Sequence, residues 1–156
     1  MRRIIAPSLL LLAACRQDQP TEPVTQPAVR ATEVAAGSSI QAAIDAAGAG
    51  DVIHIRPGLY REALRIDKPG IKIIGQSTAA GGVVLENPGN ADNGIVVTTN
   101  GDGFALSDIT VRGFEENGVL LVGVDGFSLT RVTTERNGEY GPVSYTHLTL
   151  PTIYSV

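Results

Sequence analysis

The chain has 156 residues, 12 Lys plus Arg against 16 Asp plus Glu, and a formal net charge of −4. An acidic chain without a basic stripe is a poor match for nucleic acid and for non-specific adhesion to anionic lipid. With one cysteine, Cys15, an internal disulfide and a multi-cysteine metal site are both excluded.

Met1-Arg2-Arg3 is a short positive segment, followed by an apolar run from Ile4 to Ala14 that only Pro7 and Ser8 interrupt. That run is too short to span a bilayer and has the proportions of a secretory signal. It ends in Leu12-Ala13-Ala14-Cys15. Small residues before a cysteine let the chain lie extended in a peptidase groove. The string resembles the lipobox of bacterial lipoproteins, and this resemblance implies cleavage after Ala14 and lipid on Cys15. Several acyl chains then give a firm membrane anchor. Arg16 follows the cysteine instead of an inner-membrane retention aspartate, so the resemblance implies outer-membrane sorting in a Gram-negative host. Removing Arg2 and Arg3 leaves 10 basic against 16 acidic residues, a mature charge of −6. Residues 16–36 contain Pro20, Pro23 and Pro27 and little apolar bulk, so residues 15–36 read as a disordered tether.

Ser39 to Ala47 predicts a short amphipathic helix. Ile40, Ala43, Ile44 and Ala47 share one face, Ser38 or Ser39 caps it, and Gly48 and Gly50 stop it. Everything beyond is short strands and turns. Val52–Ile55, Leu64–Ile66, Ile71–Ile74, Val83–Leu85, Ile95–Val97, Phe104–Leu106, Ile109–Val111, Val119–Val122, Phe127–Leu129 and Val132–Thr134 read as strands, with Pro57-Gly58 and Pro69-Gly70 as turns.

A fixed period organises them. Gly103-Phe-Ala-Leu-Ser-Asp-Ile-Thr-Val-Arg112 aligns with Gly126-Phe-Ser-Leu-Thr-Arg-Val-Thr-Thr-Glu135 at an offset of 23. Asn93-Gly94 repeats as Asn117-Gly118 at 24, and Asn137-Gly138 follows at 20. A repeat of this length with about three short strands defines an all-β solenoid in which each coil lies on the next. Phe104 and Leu106 then point inward, Phe127 and Leu129 stack on them, and Ile109 meets Val132. The Asn-Gly pairs read as left-handed turns.

The segment Gly37-Ser-Ser-Ile-Gln-Ala-Ala-Ile-Asp-Ala-Ala47, with Gly50-Asp-Val-Ile-His-Ile-Arg-Pro-Gly-Leu-Tyr60 and Lys68-Pro-Gly-Ile-Lys-Ile-Ile-Gly75, resembles the opening of pectin-lyase-like right-handed parallel β-helix proteins. The resemblance covers Gly37 to Gly141. It implies a helix capping the first coil and a β-helix domain over residues 37–142. Members of that family include polysaccharide lyases, pectin esterases and binding or adhesive proteins, and fold does not choose among them.

No complete catalytic or metal-ligating set stands out, and no cofactor is implied. Asp92, Asp102, Asp108 and Asp125 are the available aspartates, and only Asp108 falls in a strand region, with Arg131 as its counterpart one coil on. A solvated ion pair between coils is the favoured reading of those two. Asn100-Gly-Asp-Gly-Phe104 lacks the nine-residue recurrence of a calcium repeat and reads as a turn, and His54 as a surface residue. Asp108, Arg131 and Tyr60 are the candidate ligand-facing residues, Tyr60 because an aromatic ring at a turn can stack on sugar. The expectation is a lipid-anchored envelope protein that binds polysaccharide or other envelope ligands. The alternative is the N-terminal part of a carbohydrate-active enzyme whose site lies in further coils.

Residues 143–156, Val-Ser-Tyr-Thr-His-Leu-Thr-Leu-Pro-Thr-Ile-Tyr-Ser-Val, lack charge and break the repeat. They resemble a transposase-type sequencing adaptor translated in frame. GTC TCT TAT ACA CAT CTG ACG CTG CCG ACG encodes Val143 to Thr152, the preceding CT completes the proline codon of residue 142, and a closing GTG TAG gives Val156 and a stop. The expectation is a non-native tail that packs poorly or pairs only opportunistically, with the solenoid cut short near Gly141.

Overall fold

The computed structural model describes residues 28–79 and 81–145. It is a right-handed parallel β-helix of about five turns with one short helix. The elements are β1 (Ala31–Val34), α1 (Ile40–Ala46), β2 (Val52–Ile55), β3 (Gly58–Arg61), β4 (Leu64–Ile66), β5 (Lys72–Gly75), β6 (Val83–Glu86), β7 (Ile95–Val97), β8 (Ala105–Arg112), β9 (Asn117–Val122), β10 (Ser128–Glu135) and β11 (Tyr140–Tyr145). Every pairing between named strands is parallel.

Three faces result. The first stacks β1, β2, β5 and the opening residues of β8 and β10; the second stacks β3, β6 and the closing residues of β8 and β10; the third stacks β4, β7, β9 and β11. β8 and β10 serve two faces because each bends at one residue in the left-handed region, Asp108 (φ 59°) and Arg131 (φ 49°). The bend brings the Asp108 carbonyl against Gly75, where a Cβ would collide with the oxygen, so only glycine fits.

Alternation within each strand builds the core. Ile53, Ile55, Ile73, Leu85, Ile95, Val97, Phe104, Leu106, Ile109, Val111, Val119 and Leu121 are buried, while their strand neighbours face outward. Ser128 registers with Ala105 and Val132 with Ile109, and the Ser128 amide donates to the Phe104 carbonyl at 2.8 Å. Phe127 therefore lies against Phe104, as the 23-residue repeat predicts. Val52, Lys72, Ala105 and Ser128 are in register at steps of 20, 33 and 23 residues. The long step comes from longer connections between the strands of this turn, while the parallel register continues on either side of it.

A column of left-handed glycines, Gly50, Gly70, Gly103 and Gly126, turns the chain into the first face. Each amide of the first three donates to the turn below, Gly50 to Pro69, Gly70 to Asp102 and Gly103 to Asp125, at 2.7–2.9 Å.

α1 covers the N-terminal end, with Ile40 and Ile44 buried and Ser39 as its N-cap. A seven-residue helix is too short to persist alone, and the first full coil clamps it. Glu62 accepts from the Ile40 and Gln41 amides and the Ser39 hydroxyl, at 2.6–3.2 Å. Lys68 Nζ donates to the carbonyls of Ile44, Asp45 and Ala47, at 2.7–3.1 Å. Gln41 exchanges two hydrogen bonds with the Arg65 backbone between them. Carboxylate at the amino end and ammonium at the carboxyl end both match the helix dipole.

Three expectations change. The solenoid starts before residue 37, because β1, inside the stretch read as tether, pairs with β2 over Ala31–Val34. The Asn-Gly pairs are not left-handed turns. Gly94 and Gly118 are buried where the next turn passes too close for a Cβ, and Tyr140, not Asn137, sits in register with Asn117. Finally, the parallel stack runs past residue 142, with Val143–Tyr145 in register with Leu120–Val122. Residues 1–27 and 146–156, and with them Cys15, the signal segment and most of the adaptor-like tail, lie outside the described residues.

Candidate functional site

The candidate residues Asp108 and Arg131 come together on the corner between the first and second faces. Arg131 Nε and Nη2 donate to the two oxygens of Asp108 at 2.5 and 2.7 Å, a bidentate pair spanning one turn. The guanidinium holds the Asp108 carboxyl below its ordinary value, against a smaller opposing effect of burial, and the Arg131 pKa is raised in turn. A carboxyl so depressed stays ionised near neutrality and carries no proton for general acid catalysis. The arrangement matches the ion pair between coils that the sequence suggests.

The Tyr60 ring is buried and not laid open on the surface. It lies within β3 instead of a turn, points inward, is 3 % exposed, and donates its hydroxyl to the Arg56 carbonyl at 2.8 Å. Burial raises its pKa. An open recess on this side is lined by Tyr60 itself together with Gly37, Ser38, Ser39, Leu59, Arg61 and Glu62. Glu62 and Ser39 there are already engaged at the start of α1.

A second set of charges escapes sequence reading. Arg61, Glu86, Arg112 and Glu135 occupy the same outward position in four successive turns of the second face. Glu86 accepts from Arg61 Nε at 2.9 Å and from Arg112 Nη2 at 2.9 Å, and Arg112 Nη1 approaches Glu135 at 3.6 Å. The hydrogen bonds from Arg61 and then Arg112 hold the Glu86 carboxyl below its ordinary value. The steps of 25, 26 and 23 residues hide this ladder, because loop lengths vary between its members. Beside it runs the outward row Leu59, Val84, Thr110 and Thr133.

Other polar groups are also spent between turns. Asp102 accepts the Asp125 amide at 2.8 Å, which fits the turn reading of Asn100–Phe104. His54 stands outward, in register with Glu33 and Ile74. Asn117 Nδ2 donates to Asn93 Oδ1 at 2.9 Å, while the buried Asn117 Oδ1 has no hydrogen-bond partner among the described residues. Among the described residues no three His, Cys, Asp or Glu side chains converge as a metal site, and no helix is long and apolar enough to cross a membrane.

These features define a protein class by fold, the right-handed parallel β-helix. No family model, curated protein or solved structure matches the chain.

Proposed function

We propose that this chain is a pectin-lyase-like β-helix lipoprotein of the bacterial cell envelope. In this reading lipid on Cys15 anchors it, and its outer faces bind polysaccharide or another extended envelope ligand. The observation that carries the reading is the second face. Its outward row Leu59–Val84–Thr110–Thr133 repeats once per turn beside the Arg61–Glu86–Arg112–Glu135 ladder. Parallel strands set that repeat at about 4.8 Å, giving a straight, stepped surface rather than a pocket. Such a surface suits a polymer lying along the solenoid axis. The ladder neutralises its own charges, which favours a neutral polymer over a polyanion, as does the mature charge of −6 (10 basic minus 16 acidic residues).

The test is co-sedimentation of the Cys15→Ser protein with insoluble neutral and acidic polysaccharides, compared with a Thr110→Arg, Thr133→Arg variant. Saturable binding that this variant weakens about tenfold supports the reading, since tenfold corresponds to the loss of one or two good contacts. Binding unaffected by the variant, or no binding to any polymer, overturns it.

A further inference from the structure

We infer that the recess where the second face meets the helical cap is a chain-end subsite, which takes the terminal sugar ring of a neutral polysaccharide lying along the solenoid axis. The inference rests on the polysaccharide reading above and adds which part of the polymer is held. β3 is the first strand of the second face, and among the described residues it pairs only with β6. Gly58 donates its amide toward that neighbour, to the Gly82 carbonyl at 3.1 Å. Successive residues of a parallel strand bond to opposite sides. Leu59 and Arg61 therefore turn their N–H and C=O groups to the other edge, where none of the four has a partner among the described residues.

That edge and the loop of Gly37, Ser38 and Ser39 enclose about 240 Å³. Pockets for drug-sized ligands hold about 300–1,000 Å³, so this one has room for a single ring. A sugar hydroxyl both donates and accepts, and the recess offers both kinds of partner. Besides the four backbone groups there are the Ser38 hydroxyl and the Arg61 Nη groups, none of them hydrogen-bonded to a described residue, since Arg61 reaches Glu86 through Nε. The Leu59 side chain, 43 % exposed, adds an apolar surface for the C–H face of the ring. Charge selects a neutral occupant. Glu86 balances Arg61, and Glu62 is taken up by the Ile40 and Gln41 amides and the Ser39 hydroxyl, so the helix amides are not free to bind an anion. Position selects the end of the polymer. The outward row Leu59–Val84–Thr110–Thr133 starts at Leu59. Just beyond it the chain closes the path, for a Cβ on Gly58 would lie 3.3 Å from that of Ala36. A polymer that follows the row stops here.

The test uses the full chain with Cys15→Ser and soluble neutral glucan, mannan and xylan, each as a long and a short size fraction. Where the fractions differ about tenfold in length, the shorter carries about ten times the ends at equal mass, so its Kd per unit mass is expected to be about tenfold lower by titration calorimetry. Ser38 is exposed, and Ser38→Trp fills the recess. It is expected to weaken binding of the short fraction about tenfold and to erase the dependence on length. Leu59→Asn, which leaves the loop untouched, is expected to act in the same direction. Thr110→Arg with Thr133→Arg is expected to weaken both fractions alike and keep the dependence on length. Circular dichroism checks that each variant folds as the parent does. A parent that binds both fractions with equal Kd per unit mass overturns the chain-end subsite and leaves the polysaccharide reading standing. Length dependence that survives both Ser38→Trp and Leu59→Asn overturns the recess as its site. No binding of any of the three polymers overturns both the reading and the inference.

Discussion

Asp108 and Arg131, one turn of the solenoid apart, share a left-handed backbone and are joined through two hydrogen bonds of 2.5 and 2.7 Å. Each residue is both a bend and half of an ion pair. Arg131→Ala removes the pair and leaves the left-handed strain in place, whereas Arg131→Gly removes both. The glycine variant is therefore expected to melt higher than the alanine variant, by roughly 4 °C. Differential scanning calorimetry of the two checks this, and equal melting temperatures would mean that the bend relaxes once the pair is lost.

Gly75 is fixed by its neighbour instead of by its own dihedral angles, since a Cβ there would strike the carbonyl oxygen of Asp108. Backbone yields less readily than a side-chain tip. Gly75→Ala is expected to cost on the order of 2–3 kcal/mol. Gly82→Ala, where a Cβ meets nothing within 4 Å, is expected to be near neutral. Urea midpoints at unchanged slope measure both.

The clamp on α1 predicts local effects larger than global ones. Glu62→Ala leaves the Ile40 and Gln41 amides without their carboxylate, and Lys68→Met uncovers three terminal carbonyls. Each is expected to cost about 1 kcal/mol. Faster amide exchange should concentrate in residues 40–47, with β8 and β9 unchanged. Uniform loss of protection would show instead that the cap and solenoid unfold as one unit.

Asp51 predicts the acid limit of the first strand. It accepts the Arg30 and Gly48 amides, both at 2.8 Å, and these bonds hold its carboxyl below the ordinary value. The unfolded carboxyl, near 3.9, takes up its proton first as pH falls. The stabilisation is therefore fully present above about pH 4 and is lost as pH drops through the folded value. Asp51→Asn is expected to be less stable than the parent at pH 7, with the gap closing as pH falls below about 4. A gap independent of pH would remove the carboxylate from this role.

The fold is legible in the sequence where residues are buried every turn. Phe104 and Phe127, Leu106 and Leu129, and Ile109 and Val132 recur because stacked interiors demand similar side chains at one height. The helix is legible because Ile40 and Ile44 share a face. β1 is not, since Ala31, Thr32 and Glu33 are exposed and only Val34 is buried. It is a strand because β2 offers an edge, which local propensity does not record. Tyr60 misleads for a related reason, because Pro57-Gly58 signals a turn while the chain extends from Gly58 and buries the ring. The Asp108–Arg131 pair is legible because 23 residues separate its members inside the cleanest repeat. The Arg61–Glu86–Arg112–Glu135 ladder crosses coils of unequal length and becomes visible only once the register is known.

Membrane anchoring through Cys15 is the claim on which the envelope reading depends most. The direct measurement is metabolic labelling with radioactive fatty acid in a bacterial host, followed by fractionation, for the parent and Cys15→Ser. The account predicts a labelled, membrane-associated parent processed at Ala14, and an unlabelled, unprocessed variant. An unlabelled parent, or a variant that labels as strongly, would contradict it.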